Sequence, residues 1–219
     1  ELADMDLDAI PEVIVVHDQG VTILKRHDDS PEWNVLSEFT TESSPSGVIL
    51  ADLDQDLVDR PKLAEPVSKS SMMEPVCHEA DLDMVLFGAQ GVTVLENRIV
   101  VASSQRELAA VAQTEVFSDL RGVTAVIASD LDHDGDLDLA ISSSTGISLW
   151  TGRGDLTFID ITGNSQIPPA ELKVTSMSAV DIDQDLDTDI LVGSQSQPLG
   201  YLENTGHGRF RWLILPESD

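Results

Sequence analysis

Residues 130–142 read DLDHDGDLDLAIS. Asp130, Asp132, Asp134, Asp136 and Asp138 take every second position, and the chain then turns apolar at once. Carboxylates this close repel one another, so the spacing asks what neutralises them. A turning backbone with carboxylates at positions 1, 3 and 5 can fold them around one centre. Glycine at position 6, here Gly135, admits the positive φ that turns the chain back. An acid at position 9 closes the cage, and the carbonyl of position 7 can add an oxygen. All-oxygen ligation of this kind suits a hard cation with six to eight ligands, and Ca²⁺ fits it better than Mg²⁺. Zinc or copper would call for His and Cys. The cluster offers only His133, at position 4, which is expected to face away from the centre.

The pattern recurs. ADMDLDAIPEVIVV at 3–16 supplies Asp4, Asp6, Asp8 and Glu12, with Ala9 at the glycine position. VDIDQDLDTDILVG at 180–193 supplies Asp181, Asp183, Asp185 and Asp189, with Leu186 at position 6 and Asp187 at position 7. ADLDQDLVDR at 51–60 opens a further copy with Asp52, Asp54 and Asp56, but its apolar run appears only after Asp83. Aligning Asp83 with Asp138 implies an insertion at 57–80, rich in Pro, Ser and charge as an exposed loop is. Discounting it, the closing acids at 12, 83, 138 and 189 stand about 50 residues apart, a period that marks a repeat architecture. Three of the four copies lack the glycine, and the insertion interrupts the second.

The EF-hand loop opens the same way but needs a bidentate Glu at position 12 and flanking helices. Position 12 is Val15, Leu63, Ile141 and Val192 in the four copies, and the flanks are not helical. Before each cluster sits a short apolar stretch such as VTAVIAS (123–129). After it come a second (DLAISSS, DILVGS, EVIVV), a Gly-led third (GISLW, GVTVLE, GVTIL) and a fourth (TFIDIT, RFRWLIL). These short β-rich runs bounded by Gly, Asp, Ser and Pro are expected strands joined by tight turns. One fair helix candidate, SQRELAAVAQTEVF (104–117), occupies the place of a fourth strand and is expected to be one. Four strands every 50 residues or so, without helices, predict an all-β fold of four-stranded β-propeller blades.

The four clusters, each followed by an apolar strand and a Gly-led strand, resemble the FG-GAP/VCBS repeat known from the integrin α-subunit propeller. The resemblance covers essentially the whole chain and is sharpest at 130–138. It implies a propeller, most often seven-bladed, with Ca²⁺ in the loop between the first two strands of each blade. Carried over by position, the side chains of Asp130, Asp132, Asp134 and Asp138 and the carbonyl of Asp136 would bind. Asp181, Asp183, Asp185, Asp187 and Asp189 would do so in the last copy, Asp4, Asp6, Asp8 and Glu12 in the first, and Asp52, Asp54, Asp56 and Asp83 in the second. The blades are expected at about 1–46, 47–121, 122–173 and 174–219. The opening ELADMDLD reads as the middle of a unit. The chain is therefore expected to be a piece of a seven- or eight-bladed propeller, completed by further blades of the same polypeptide or by a second copy.

Forty acidic residues against 12 basic ones give a formal charge of −28. That excludes a nucleic-acid partner, which needs a basic surface, and suits cation binding. No apolar run approaches the roughly 20 residues of a membrane span, and Cys77 stands alone, so an internal disulfide framework is excluded. The expected function is non-catalytic: a module for binding extracellular protein or glycan ligands in adhesion, with Ca²⁺ holding the blade loops. The resemblance implies an extracellular, cell-surface or periplasmic site. The alternative is the propeller of a polysaccharide lyase or hydrolase. That chemistry needs His, Lys, Arg or Tyr gathered at the disc centre, and a chain with 12 basic residues, five His and one Tyr is poorly equipped for it. Arg153-Gly154-Asp155 is expected to be a turn rather than an adhesion signal, and PVCHE (75–79) part of the inserted loop rather than a catalytic site. Trp33, Trp150 and Trp212 are expected in the core rather than on a sugar-stacking platform.

Overall fold

Strand formation follows the alternation of apolar and polar residues, and four such meanders succeed one another along the chain. The computed structural model describes residues 1–6, 10–26, 31–42, 44–55, 82–100, 105–111, 116–168, 172–196 and 198–216. No α-helix occurs among them. The first sheet holds β1 (Leu2–Ala3), β2 (Glu12–His17), β3 (Gly20–Arg26) and β4 (Trp33–Thr40). The second holds β5 (Pro45–Ala51), β6 (Asp83–Gly88), β7 (Gly91–Val100) and β8 (Gln105–Ala110). In the third are β9 (Ala125–Ser129), β10 (Asp138–Ser143), β11 (Gly146–Gly152) and β12 (Phe158–Asp160). The fourth contains β13 (Val174–Val180), β14 (Asp189–Ser194), β15 (Gly200–Asn204) and β16 (Phe210–Ile214). Each sheet is antiparallel in sequence order. The helix candidate at 104–117 supplies β8. β5 starts at Pro45, inside the first unit as drawn from sequence, because a bulge between Pro45 and Gly47 lets the strand begin early.

The second and third strands of the first three sheets are joined by two-residue turns, closed by the pairs His17–Gly20, Gly88–Gly91 and Ser143–Gly146. A glycine leads each third strand because φ there is 146°, 129° and 113°, a region that side chains avoid.

The core lies between sheets. Met5, Ile14, Val21 and Ile23 of the first pack on Met84, Leu86 and Leu95 of the second. The other face of the second, with Leu53, Val85, Val94 and Phe117, packs on Val126, Leu139, Ile141, Trp150 and Phe158 of the third. The third then turns Leu131, Ala140, Ile147 and Leu149 toward Leu172, Ile190, Val192, Leu202 and Phe210 of the fourth. Period-2 alternation thus assigns Leu139 and Ile141 to one neighbour and Ala140 to the next. Each fully buried aliphatic side chain contributes roughly 1.5–3 kcal/mol. First strands of successive sheets touch, β5 against β9 and β9 against β13, as blades do around a common axis. Trp150 sits in the core, edge-on to Phe117 at 4.8 Å. Trp33 does not: it is 49% exposed on the outer strand of the first blade. Trp212 is half-buried.

Candidate metal centres in the blade loops

Every acidic cluster lies in the connection between the first and second strands of its sheet. The closing acid begins the second strand and pairs with the last residue of the first, as Asp138 does with Ser129, Asp189 with Val180, Asp83 with Ala51 and Glu12 with Ala3. The inserted segment of the second blade therefore departs from a loop of the same design. Residues 57–80, with Cys77, His78 and Glu79, lie outside the described residues, as do Asp8 and Asp56.

The closing acids are buried, each 0–1% exposed, and they pin the loops. Asp138 accepts the backbone N–H of Leu131 at 2.7 Å on one oxygen and that of Gly152 at 2.9 Å on the other. Asp189 does the same with Ile182 (2.9 Å) and Asn204 (2.8 Å), and Asp83 with Leu53 and Asn97 (both 3.0 Å). The residue at position 2, Met5, Leu53 or Leu131, plugs the hydrophobic layer between blades. Carboxylate below and apolar plug above hold the loop at the blade edge.

Within this frame the acids at positions 1, 3 and 9 converge. Asp130, Asp132 and Asp138 each offer an oxygen within 4.8 Å of the others, and so do Asp181, Asp183 and Asp189, Asp52, Asp54 and Asp83, and Asp4, Asp6 and Glu12. Of the acids at position 5, the two that are described, Asp134 and Asp185, are not in these groups. Asp134 and Asp185 each accept, on one oxygen, the N–H of Asp136 and Asp187 at 2.9 Å. Asp136 lies beside Gly154, whose positive φ of 61° and lack of a side chain leave room for the carboxylate. The Arg153-Gly154-Asp155 segment is a turn between β11 and β12, its Asp155 held by the Thr157 hydroxyl at 2.5 Å. That bond lowers the Asp155 pKa.

Left-handed backbone shapes the loops. His133 and Gly135 have φ of 63° and 98°, and Gln184 and Leu186 have 65° and 77°. Leu186 thus adopts the turn that Gly135 makes freely, with its side chain 82% exposed. His133 faces away from its own centre, as expected, toward the next loop, with Nδ1 3.3 Å from Asp187 Oδ1. Further contacts join neighbouring loops: Gln55 Nε2 donates to the Gly135 carbonyl. Asn97 Nδ2 donates to the Met5 carbonyl at 3.0 Å, and Asn204 Nδ2 to that of Leu131 at 2.7 Å. Asn204 ends the third strand of its blade and Asn97 lies within that of its own, and each grips the loop of the previous blade. Their signal in the sequence is faint, an Asn at the same place in two units.

The electrostatics are those of crowded, partly desolvated anions. Burial pushes the Asp138 carboxyl up to about 6, against the N–H bonds from Gly152 and Leu131. Glu12 is raised mainly by burial, and Asp183 by burial and then by the Asp185 charge. Asp136 is raised by desolvation and by the charges of Asp134, Asp130, Asp155 and Asp132. Asp130 Oδ1 is buried without a hydrogen-bond partner. A buried carboxylate oxygen with no donor is costly unless a cation faces it, and only oxygens converge here. The third loop therefore fits a hard divalent cation, with Asp130, Asp132 and Asp138 as the groups that would hold it.

Residues 130–192, spanning two of the loops and the blade between them, match the FG-GAP-like repeat. That stretch of the chain carries an FG-GAP-like repeat. No curated protein matches the sequence. Among solved structures, all of the chain superposes on an Agrocybe aegerita lectin, in a structure describing specific recognition of non-reducing terminal N-acetylglucosamine, with TM-score 0.62 at 13% identity. A weaker likeness, TM-score 0.49 at 11% identity, links 98% of the chain to 56% of BBS1N in complex with ARL6DN. The chain spans 52% of the lectin's length. The likeness to the lectin is one of fold, β-propeller-like blades.

At the opposite ends of the strands the first strands frame a cavity of about 520 Å³, lined by Thr124, Ser142, Ser143, Lys173, Thr175 and Gln195 among others. Thr124 Oγ1 spans it, donating to the Val174 carbonyl of the next blade at 2.9 Å. No helix among the described residues is long and apolar enough to cross a membrane.

Proposed function

We propose that the chain is a non-catalytic, calcium-stabilised propeller module that binds protein or glycan ligands outside the cytosol. The observation that carries the calcium half is the third loop: three carboxylates within 4.8 Å of one another, with a buried oxygen of Asp130 lacking any donor. Ca²⁺ bound there would take up the repulsion among Asp130, Asp132 and Asp138 and fix the loop between its two strands. Its role is structural, since binding energy that requires the folded loop is folding energy. The repeat supports an extracellular setting, where calcium is abundant enough to fill modest sites.

The binding half is supported by the hydroxyl-lined cavity at the other face, whose Ser, Thr, Gln and Lys side chains suit a hydroxyl-rich ligand such as a glycan. Further blades of the same polypeptide, or a second copy of the chain, would complete the disc. The outer faces of the first and fourth blades carry alternating apolar residues, Val13, Val15 and Leu24 on one and Leu191, Tyr201 and Leu213 on the other, and no sheet packs on these residues among those described.

The test is thermal unfolding in millimolar Ca²⁺, in Mg²⁺ and in EDTA, with Asp132→Asn alongside. A rise of several degrees specific to Ca²⁺, and smaller in the variant, is expected. An unchanged midpoint in all three solutions would remove calcium from the account. A glycan array probed in Ca²⁺ then tests the ligand class.

A further inference from the structure

The four carboxylate groups share a backbone design but differ in what faces them from the third strand. In the first blade Val13 pairs with Leu24, so Glu12 and Lys25 are neighbours across the β2–β3 pair. Lys25 Nζ lies 2.5 Å from Asp6 Oδ2 and 3.4 Å from Glu12 Oε1, the acids at positions 3 and 9. In the third blade the same strand position is Thr151, whose hydroxyl donates to Asp132 Oδ2, again the acid at position 3, at 3.1 Å. In the second and fourth blades it is Glu96 and Glu203. Glu203 turns to Arg211, and Glu96 has Arg98 at 3.9 Å.

The first cage is also wired differently. In the other loops both oxygens of the closing acid accept backbone N–H groups. Glu12 uses Oε2 for Met5 N–H, at 2.7 Å, and turns Oε1 toward Lys25. Lys25 and Asp6 are only 21% and 22% exposed and Glu12 is 0%, so water and salt screen the contact little. An ammonium group at these distances bridges two of the three converging carboxylates, and it is the cation that faces Glu12 Oε1, which like Asp6 Oδ1 is buried without a hydrogen-bond donor. Ca²⁺ needs its oxygens at 2.3–2.6 Å, and a second cation cannot share that space with Nζ.

Taking the acidic loops as calcium cages, as proposed above, we infer that Lys25 is a tethered cation occupying the first cage, so that blade 1 is neutralised without metal while blade 3 depends on it. The first loop then keeps its shape when calcium is withdrawn and anchors that end of the module. The closing residue is Glu rather than Asp because the longer side chain reaches both the Met5 N–H and the lysine.

The decisive measurement is the number of Ca²⁺ ions bound per chain, by calorimetric titration with native mass spectrometry, for the unaltered protein and for Asp6→Asn, Asp132→Asn and Lys25→Thr. Asp6→Asn is expected to leave the count unchanged, Asp132→Asn to lower it by one, and Lys25→Thr, copying Thr151, to raise it by one. In EDTA Lys25→Thr melts below the parent, and Ca²⁺ restores it. Loss of an ion in Asp6→Asn, or an unchanged count in Lys25→Thr, overturns the inference. Should Lys25→Thr fail to fold, the Asp6→Asn count decides alone. If neither the parent nor Lys25→Thr binds any ion, the calcium reading of all the loops fails. A count that falls in both Asp132→Asn and Asp6→Asn defeats only the role given to Lys25.

Discussion

Removing the side chain of Asn204 tests whether the blades are locked together by the loops. Asn204 is 1% exposed. Its Nδ2 donates to the Leu131 carbonyl at 2.7 Å, in the loop of the preceding blade, and to the Thr188 carbonyl at 3.2 Å. Its Oδ1 accepts the Gly206 N–H at 3.0 Å. Asn204→Ala abolishes all three bonds but keeps the backbone N–H that pins Asp189. At about 1 kcal/mol net for each bond, with the partners left buried, the loss is about 2–3 kcal/mol. For a chain of 219 residues each kcal/mol moves the midpoint by roughly 2–4 °C, so a fall of about 5–10 °C is expected by calorimetry in EDTA. Asn164→Ala, at an exposed position, serves as the control and is expected to change little. Because Leu131 sits at position 2 of the third loop, Asn204→Ala is also expected to weaken Ca²⁺ binding there, a neighbour's side chain acting on a site it does not line. A midpoint within about 1 °C of the parent would refute the idea that the asparagine latches blades.

In the metal-free protein, stability is expected to rise as pH falls from 7.5 to 5. Glu12, Asp136, Asp138 and Asp183 all have raised pKa values, Asp138 from 3.8 to about 6. An acid raised on folding contributes fully below its unfolded value and loses that contribution as pH climbs through the folded one; for Asp138 this is at most about 3 kcal/mol. In saturating Ca²⁺ the slope should reverse, since protons compete with the metal; the same slope in both solutions would contradict a cage at Asp138. Leu186→Gly is expected to stabilise by about 0.5–1 kcal/mol, because Leu186 is held at φ 77° where glycine is unstrained. A destabilised variant in urea denaturation would show that the exposed leucine makes contacts that outweigh the strain.

Much of this molecule is local and therefore readable. Strands such as DLAISS and GISLWTG announce themselves because period-2 alternation and a glycine at the turn are properties of neighbouring residues. The repeat follows because each unit must bury the same face against the next. The convergence of Asp130, Asp132 and Asp138 is likewise local, set by nine residues and one tight turn. Asp134 and Asp185 each also accept an N–H two residues on, a local bond that the spacing of acids does not announce.

What only the tertiary structure decided lies across strands and between blades. Whether a carboxylate group meets an ammonium or a hydroxyl depends on which residue the third strand sets beside it. That choice distinguishes Lys25 from Thr151, though the loops they face read alike. Asn204 reaches Leu131, 73 positions earlier in the chain, only because the blades are packed side by side. Trp33 stays exposed although its run is as strand-like as that of Trp150, because an outer strand of a blade is covered less than the third strand that carries Trp150. Sequence spacing determines the shape of each blade and its acidic loop. The partner of each side chain is set by distances that close only when the blades assemble.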